Sequence, residues 1–286
     1  AAGLPLAGGR PAVGRATTFG VGQLIRAALD RGCGRLLVGM GGSATNDGGA
    51  GLAAALGVVF RDRDGREFLP VGGTLSQIAA IDPGGLDPRI RRAEIVALCD
   101  VTNPLCGENG AAAVFGPQKG ADPRMVGILD AGLKNLAAAA ARDLRRDLLR
   151  LPGGGAAGGM GAGMAAFCGA KLQKGIETFL ETVGFDRMLP GCDWVLTGEG
   201  RLDLQSLRGK VIGGIAEHTM KYQIPLIAVV GDAELSSRTA GEHGIQAVFS
   251  INRVAKPFEE MKKRSREDLA ETIGNILRFC RAVCVK

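Results

Sequence analysis

Apolar positions along the chain follow two alternating rhythms. Gly22 to Arg31 (GQLIRAALDR) has helical spacing, a Gly-Cys-Gly stop follows, and Arg35 to Met40 (RLLVGM) is a short apolar run of the kind found in buried strands. Similar short runs recur at Ile95 to Cys99, Trp194 to Thr197, Leu226 to Val230 and Ala247 to Ile251. Helical stretches stand among them at Met125 to Arg150, Ile176 to Val183, Val211 to Lys221 and Arg264 to Val283. Strands alternating with helices predict an α/β fold. The Pro190-Gly191-Cys192 turn, where a long Gly/Ala/Leu-rich region gives way to regular alternation, is the expected boundary between two domains, 1–189 and 190–286.

Each strand-like run ends in a polar segment, and in open α/β sheets ligands bind beyond the carboxyl ends of strands. The first segment, Gly41 to Gly51 (GGSATNDGGAG), is the most unusual. Glycines such as Gly41 and Gly42 let backbone N–H groups approach an anion, Ser43, Thr45 and Asn46 offer donors, and Asp47 is able to accept a proton or hold a cation. An ordinary strand-to-helix turn capped by Asn or Asp is the competing reading. Asp100 to Gly107 (DVTNPLCG) puts a carboxylate at a strand end and Asn103 before a proline, a pattern that suits a structural turn and a site loop equally. Lys119, between turn residues in FGPQKG, is either a solvated charge or a point charge for phosphate. Gly198, Glu199, Gly200, Arg201, Asp203, Gln205, Arg208 and Lys210 crowd carboxylates and cations into one segment. That mixture suits Mg²⁺ and phosphate, whose transfer needs alignment and charge neutralisation more than covalent chemistry.

Composition narrows the classes. Of 286 residues 46 are Gly, more than twice the usual share of roughly 7%, yet there is no G-X-Y period and 46% of the chain is hydrophobic, which excludes collagen and argues against disorder. The densest glycine run, Leu151 to Met164, reads either as a flexible linker or as a structured turn entering an Ala-rich helix. Seven scattered cysteines without a Cys-x-x-Cys pair encode neither a disulfide framework nor a zinc knuckle. Only His218 and His243 are available, which disfavours His-based hydrolase chemistry. The net charge of +6 is spread along the chain with few aromatics for stacking on bases, which fits a small anionic substrate better than nucleic acid and equally fits a mildly basic surface without functional meaning. No apolar run approaches the roughly 18 residues of a membrane span, and no signal-peptide pattern opens the chain, so the expectation is a soluble cytoplasmic protein. A Walker A loop is absent around Gly209-Lys210, and Gly39-x-Gly41-x-x-Ala44 is a weak match to a dinucleotide fingerprint.

Four segments taken together resemble one family. GGSATNDGGAG (41–51), CDVTNPLCGENGAAAVFGPQKGA (99–121), GAAGGMGAGMAAF (155–167) and TGEGRLDLQSLRGK (197–210) are similar, in order and spacing, to the type I bacterial glycerate kinases. The resemblance implies ATP-dependent phosphorylation of D-glycerate at the 2-hydroxyl with Mg²⁺. It also implies two α/β domains, a Rossmann-like one represented here by its C-terminal part (190–286) and a larger inserted one (1–189). Members of that family begin with a strand and loop of the type APDSFKxSLSA followed by a DGGEG motif. Neither is present here, so the sequence leads us to expect a chain lacking an N-terminal segment, with part of its site and one sheet edge incomplete. Within this reading Asp47, Asp203 and Lys210 are the catalytic candidates, with Asp47 and Asp203 also candidates for the metal. Gly41, Gly42, Ser43, Thr45, Asn46, Asn103, Lys119, Gly198, Glu199, Gly200 and Arg201 are candidates for substrate and phosphate. A glycerate 3-kinase, a catalytically dead ligand-binding fragment and a nicotinamide-dependent dehydrogenase are the alternatives.

Overall fold

The structure, a computed structural model, describes residues 1–7, 12–204, 206–207 and 210–284; the candidate positions Gln205 and Arg208 lie outside these residues. The chain divides into two compact units, Ala1–Gln173 and Lys174–Lys286. The division falls ahead of Pro190 because the helical stretch before that turn packs with the later strands and helices: Ile176 lies against Gly214, a contact within the second unit.

In the first unit, α1 (Phe19–Asp30) leads to β1 (Arg35–Gly39) and α2 (Ala50–Ala55). The short strands β2 (Val59–Arg61) and β3 (Ala80–Asp82) pair antiparallel, and β4 (Glu94–Leu98) pairs parallel with β1, Gly39 opposite Leu98. After α3 (Ala111–Phe115), α4 (Pro123–Leu144) and α5 (Ala156–Cys168) comes β5 (Lys171–Gln173), giving a parallel sheet of order β1-β4-β5. Its core is aliphatic and alanine-rich, built around Leu52, Phe60, Leu75, Ile95, Leu129, Leu133 and Met164. α4 begins where Asp122 caps it, its side chain accepting from Met125 N at 2.7 Å, with Pro123 in the first turn where a missing N–H costs nothing. It ends at Leu144, short of the expected Arg150, because Arg145 takes a left-handed conformation (φ 55°). β1 differs from the fully buried strand its composition suggested. It alternates, with Leu37 44% exposed.

The glycine run Leu151 to Met164 is structured rather than a linker: a turn over 151–155 leads into the buried helix α5. Ala157, Gly158 and Gly159 take left-handed dihedrals at its start, and from Met160 the helix runs regularly to Cys168. Its glycines allow direct backbone contact with the segment after β1. A Cβ on Gly158 would stand 1.9 Å from the Thr45 carbonyl oxygen, and one on Gly163 would stand 2.2 Å from that of Gly48.

The second unit carries α6 (Gly175–Val183), α7 (Phe185–Met188), β6 (Val195–Leu202), α8 (Val211–Lys221), β7 (Leu226–Ala233), α9 (Ser237–Glu242), β8 (Ile245–Ser250) and α10 (Phe258–Cys284). The three strands form a parallel sheet of order β6-β7-β8 around a smaller core of Leu202, Ile212, Leu226, Ala228, Val230 and Ile245. β6 and β7 both run past the points where their apolar runs end, so Gly198 to Leu202 and Gly231 to Ala233 are paired strand rather than exit loop. Small residues make this possible, since a Cβ on Gly231 would lie 2.3 Å from the Gly200 carbonyl oxygen.

Candidate functional site

Because Gly39 pairs with Leu98, the segments after β1 and β4 leave the sheet side by side. They enclose a pocket of about 200 Å³ lined by Gly41, Gly42, Ser43, Cys99, Asp100, Gln118 and Lys119, with Phe115 and Ala157 among its apolar neighbours. A Cβ on either Gly41 or Gly42 would meet nothing within 4 Å, so their backbone faces open space here. The segment 42–44 is held from its other side by the start of the chain. Leu4 N donates to Gly42 O at 2.8 Å and Ala44 N to Ala2 O at 2.8 Å, order that the Gly/Pro/Ala-rich opening stretch did not suggest.

Lys119 is the electrostatic centre of this pocket. It is only 2% exposed, and its Nζ donates to Ser43 Oγ at 2.9 Å and to the Thr45 carbonyl at 2.8 Å. Burial disfavours the charged ammonium and lowers its pKa to about 8, against the opposing pull of Asp47. An ammonium has three N–H donors, and these two bonds leave one. A buried cation beside a hydroxyl and open glycine backbone is suited to an incoming carboxylate or phosphate oxygen.

Asp47 has a different place from the one the sequence suggested. It is fully buried, its Oδ2 accepts from Thr18 N at 2.7 Å, Thr18 Oγ1 at 2.9 Å and Gly51 N at 3.3 Å, and its Oδ1 accepts from Gly49 N at 3.2 Å. Thr18 Oγ1 in turn accepts from Leu52 N at 2.9 Å. Asp47 therefore ties the starts of α1 and α2 to the loop and does not line the pocket. Its carboxyl pKa is raised by burial, partly offset by the Thr18, Gly49 and Gly51 donors. Thr45 and Asn46 lie beside it, 1% and 0% exposed, and the Thr45 hydroxyl and both Asn46 side-chain polar atoms have no protein partner. Buried polar atoms left unpaired by protein are uncommon. Asn103 is turned toward its own loop, its Nδ2 donating to Asn109 O at 2.9 Å. Cys99 lines the pocket, but burial pushes its thiol up, away from a reactive thiolate.

The second unit gathers another set. Asp203 Oδ1 accepts from Ser206 N at 2.8 Å and Ser206 Oγ at 3.1 Å, closing a tight turn after β6. Glu199 is half-buried in the strand, and its Oε2 is buried without a hydrogen-bond partner. Burial raises its pKa; Lys210 and Ser206 oppose this, and the negative charge of Asp203 adds to it. Lys210 stands exposed at the N-cap of α8. Arg201 points to Glu234, 2.6 Å away in an exposed ion pair, which ties β6 to the end of β7. Gly198 and Gly200 belong to the strand, and a Cβ on Gly198 would meet the Val229 carbonyl oxygen at 2.5 Å, so Gly198 serves strand pairing. His218 is half-buried between Asp186 at its Nδ1 and Glu177 at its Nε2.

Asp100 is one carboxylate in a proline-containing turn, which is uninformative by itself. The signal lay in comparing strand ends: it sits two residues beyond Leu98, as Gly41 sits two beyond Gly39, and those two residues are paired.

Comparison with known proteins fits this geometry. The profile of the glycerate kinase family matches residues 1–281. The glycerate kinase of Bacillus subtilis (strain 168) is 44% identical over 260 residues, covering 91% of this chain and 68% of that protein. The glycerate 2-kinase of Escherichia coli (strain K12) is 42% identical over 260 residues, with the same coverage of 91% and 68%. A crystal structure from Salmonella typhimurium LT2, assigned as a glycerate kinase 2, superposes with a TM-score of 0.87 at 43% identity, covering 99% of this chain and 74% of that one. The chain belongs to the glycerate kinase family, a family of phosphotransferases.

Proposed function

We propose that this protein transfers the γ-phosphoryl group of ATP to the 2-hydroxyl of D-glycerate, giving 2-phosphoglycerate, as a soluble cytoplasmic enzyme. The observation that carries the reading is the buried Lys119 ammonium, paired with Ser43 and opening onto the glycine-lined pocket at the ends of β1 and β4. Glycerate is a small carboxylate bearing hydroxyls. Its carboxylate would take the remaining Lys119 donor and the N–H groups of Gly41 and Gly42, with Ser43 as a further partner. Asp47 then acts by position, holding the loop in shape before substrate arrives, which lowers the reorganisation needed at the moment of reaction.

The Glu199 and Asp203 carboxylates fit Mg²⁺. One buried oxygen of Glu199 has no protein partner, the two groups sense each other's charge, and Mg²⁺ usually takes only one or two carboxylates, with water and phosphate oxygens completing its shell. Bound there, the ion would offset charge on the donor's phosphates. Lys210, near enough to Glu199 to oppose the rise in its pKa, would add positive charge to the same region. The larger family-level picture, an inserted domain followed by the C-terminal part of a Rossmann-like one, is our reading of the two units.

The test is a turnover assay with ATP, Mg²⁺ and D-glycerate, the product then offered to enolase without a mutase. Formation of phosphoenolpyruvate is the expected result. A product that enolase leaves untouched until a mutase is added would show transfer to the 3-hydroxyl, and D-glycerate binding without ADP release would show a ligand-binding protein.

A further inference from the structure

We propose that Asp100 is the catalytic carboxylate of the first-unit pocket, accepting the proton of the glycerate hydroxyl as phosphorus is attacked. The proposal rests on the reading of the pocket as the glycerate site. Among the residues that line the pocket Asp100 is the acid and Lys119 the cation, while Ser43 and Gln118 are the neutral polar side chains. Glycerate brings two demands of opposite sign: a carboxylate that needs a donor, and a hydroxyl that needs an acceptor once its oxygen begins to bond to phosphorus. Lys119 meets the first demand from the β1 side, through Ser43. Asp100 meets the second from the β4 side, two residues beyond the Leu98 that pairs with Gly39.

The other candidate acceptors are excluded by where they lie. Asp47 is closed in by donors from Thr18, Gly49 and Gly51 and is 0% exposed. The Cys99 thiol, also at the pocket wall, has its Sγ 3.1 Å from the Val101 carbonyl and is raised by burial. Lys119 already donates to two oxygens. Asp100 is exposed, so substrate can reach it and the proton it takes can pass on to water.

In the step itself, a bond forms between the hydroxyl oxygen and the γ-phosphorus. The bond from that phosphorus to the β–γ bridging oxygen breaks, and its electron pair leaves with ADP. The hydroxyl proton goes to an Asp100 Oδ and then to solvent, so the sum is ATP and glycerate to ADP, phosphoglycerate and one proton.

Steady-state kinetics on the intact chain, wild type against Asp100→Asn and Asp100→Glu, test the assignment. For Asp100→Asn, kcat is expected to fall by about 100-fold or more while the KM for D-glycerate stays within about threefold, the range typical of losing a general base. Asp100→Glu should recover about tenfold of that loss. Circular dichroism would confirm that both variants fold. An active wild type whose kcat survives Asp100→Asn within about fivefold would overturn the proposal alone. So would a change confined to KM, with kcat unaltered. A wild type that makes no phosphoglycerate would remove the functional reading and the proposal together.

Discussion

The two polar motifs that drew attention in the sequence are built on opposite principles. In the first unit, Thr45, Asn46, Asp47 and Lys119 are all within 2% of complete burial, and the loop that carries three of them is fixed by backbone contact with α5. In the second unit, Glu199, Arg201 and Asp203 sit on or just after an ordinary parallel strand, and Arg201 and Lys210 are exposed. The first motif bears the cost of desolvation during folding, so its donors are in place before a ligand arrives. The second carries its charges nearer to solvent, with Arg201 already paired to Glu234. A charged residue beside a ligand therefore does not reveal which of the two it does; burial and the partners it already holds do.

This contrast is open to attack at graded scale. The largest effect is expected for Gly158→Ala. The new Cβ would be driven against the Thr45 carbonyl at a left-handed position, and about 4 kcal/mol or more of stability should be lost in urea unfolding. Gly200→Ala in the second motif meets nothing within 4 Å and should stay within about 1 kcal/mol of wild type. Equal costs would dissolve the contrast.

Next is Asp47→Asn, which sets an NH₂ group among the N–H and O–H donors of Thr18, Gly49 and Gly51. It should cost about 2–4 kcal/mol in the same unfolding experiment, with activity lost in proportion to unfolded protein. A variant of unchanged stability and no turnover would return Asp47 to a catalytic role.

A smaller effect comes from pH. Lys119 titrates near 8 in the empty pocket, and only its protonated form attracts a carboxylate. D-glycerate affinity measured by calorimetry should therefore weaken by about fivefold between pH 8 and pH 9 and vary little below pH 7. A flat profile through pH 9 would argue against Lys119 as the ligand's cation.

The smallest effect belongs to His218. Partial burial disfavours its charge, but the hydrogen bonds to Asp186 and Glu177 prevail and hold its pKa above the ordinary value of 6.5. A raised folded pKa means that its contribution is complete below 6.5 and fades as pH rises through the folded value. Thermal unfolding of wild type should show that decline, and His218→Ala should lack it.

Much of the architecture was legible in the chain. The runs at 35–40, 95–99, 226–230 and 247–251 are strands, and Val211–Lys221 is a helix with the ends its pattern gave. Strand ends were misread at 198 and 231 because glycine after an apolar run usually signals a turn. Here it allows two backbones to pair closely, which only the tertiary partner reveals. The same ambiguity left two readings open at α5, where glycine spacing makes room for Thr45 and Gly48 rather than for flexibility. In the site, Ser43 and Lys119 were named from sequence and are joined in the structure. Asp47, a candidate for chemistry in the sequence, is enclosed by Thr18, Gly49 and Gly51 away from the pocket, whereas Asp100 lines it. Residue type gives the capacity to accept a proton, but only the register of β1 against β4 shows which carboxylate faces the pocket.

On the proposed reading, D-glycerate binds in the first-unit pocket. Titrating ¹⁵N-labelled protein with D-glycerate and following amide shifts tests it most directly. Saturable shifts are expected at Gly41, Gly42, Ser43 and Asp100, abolished in Lys119→Met. Shifts confined to the second unit, or undiminished in that variant, would contradict it.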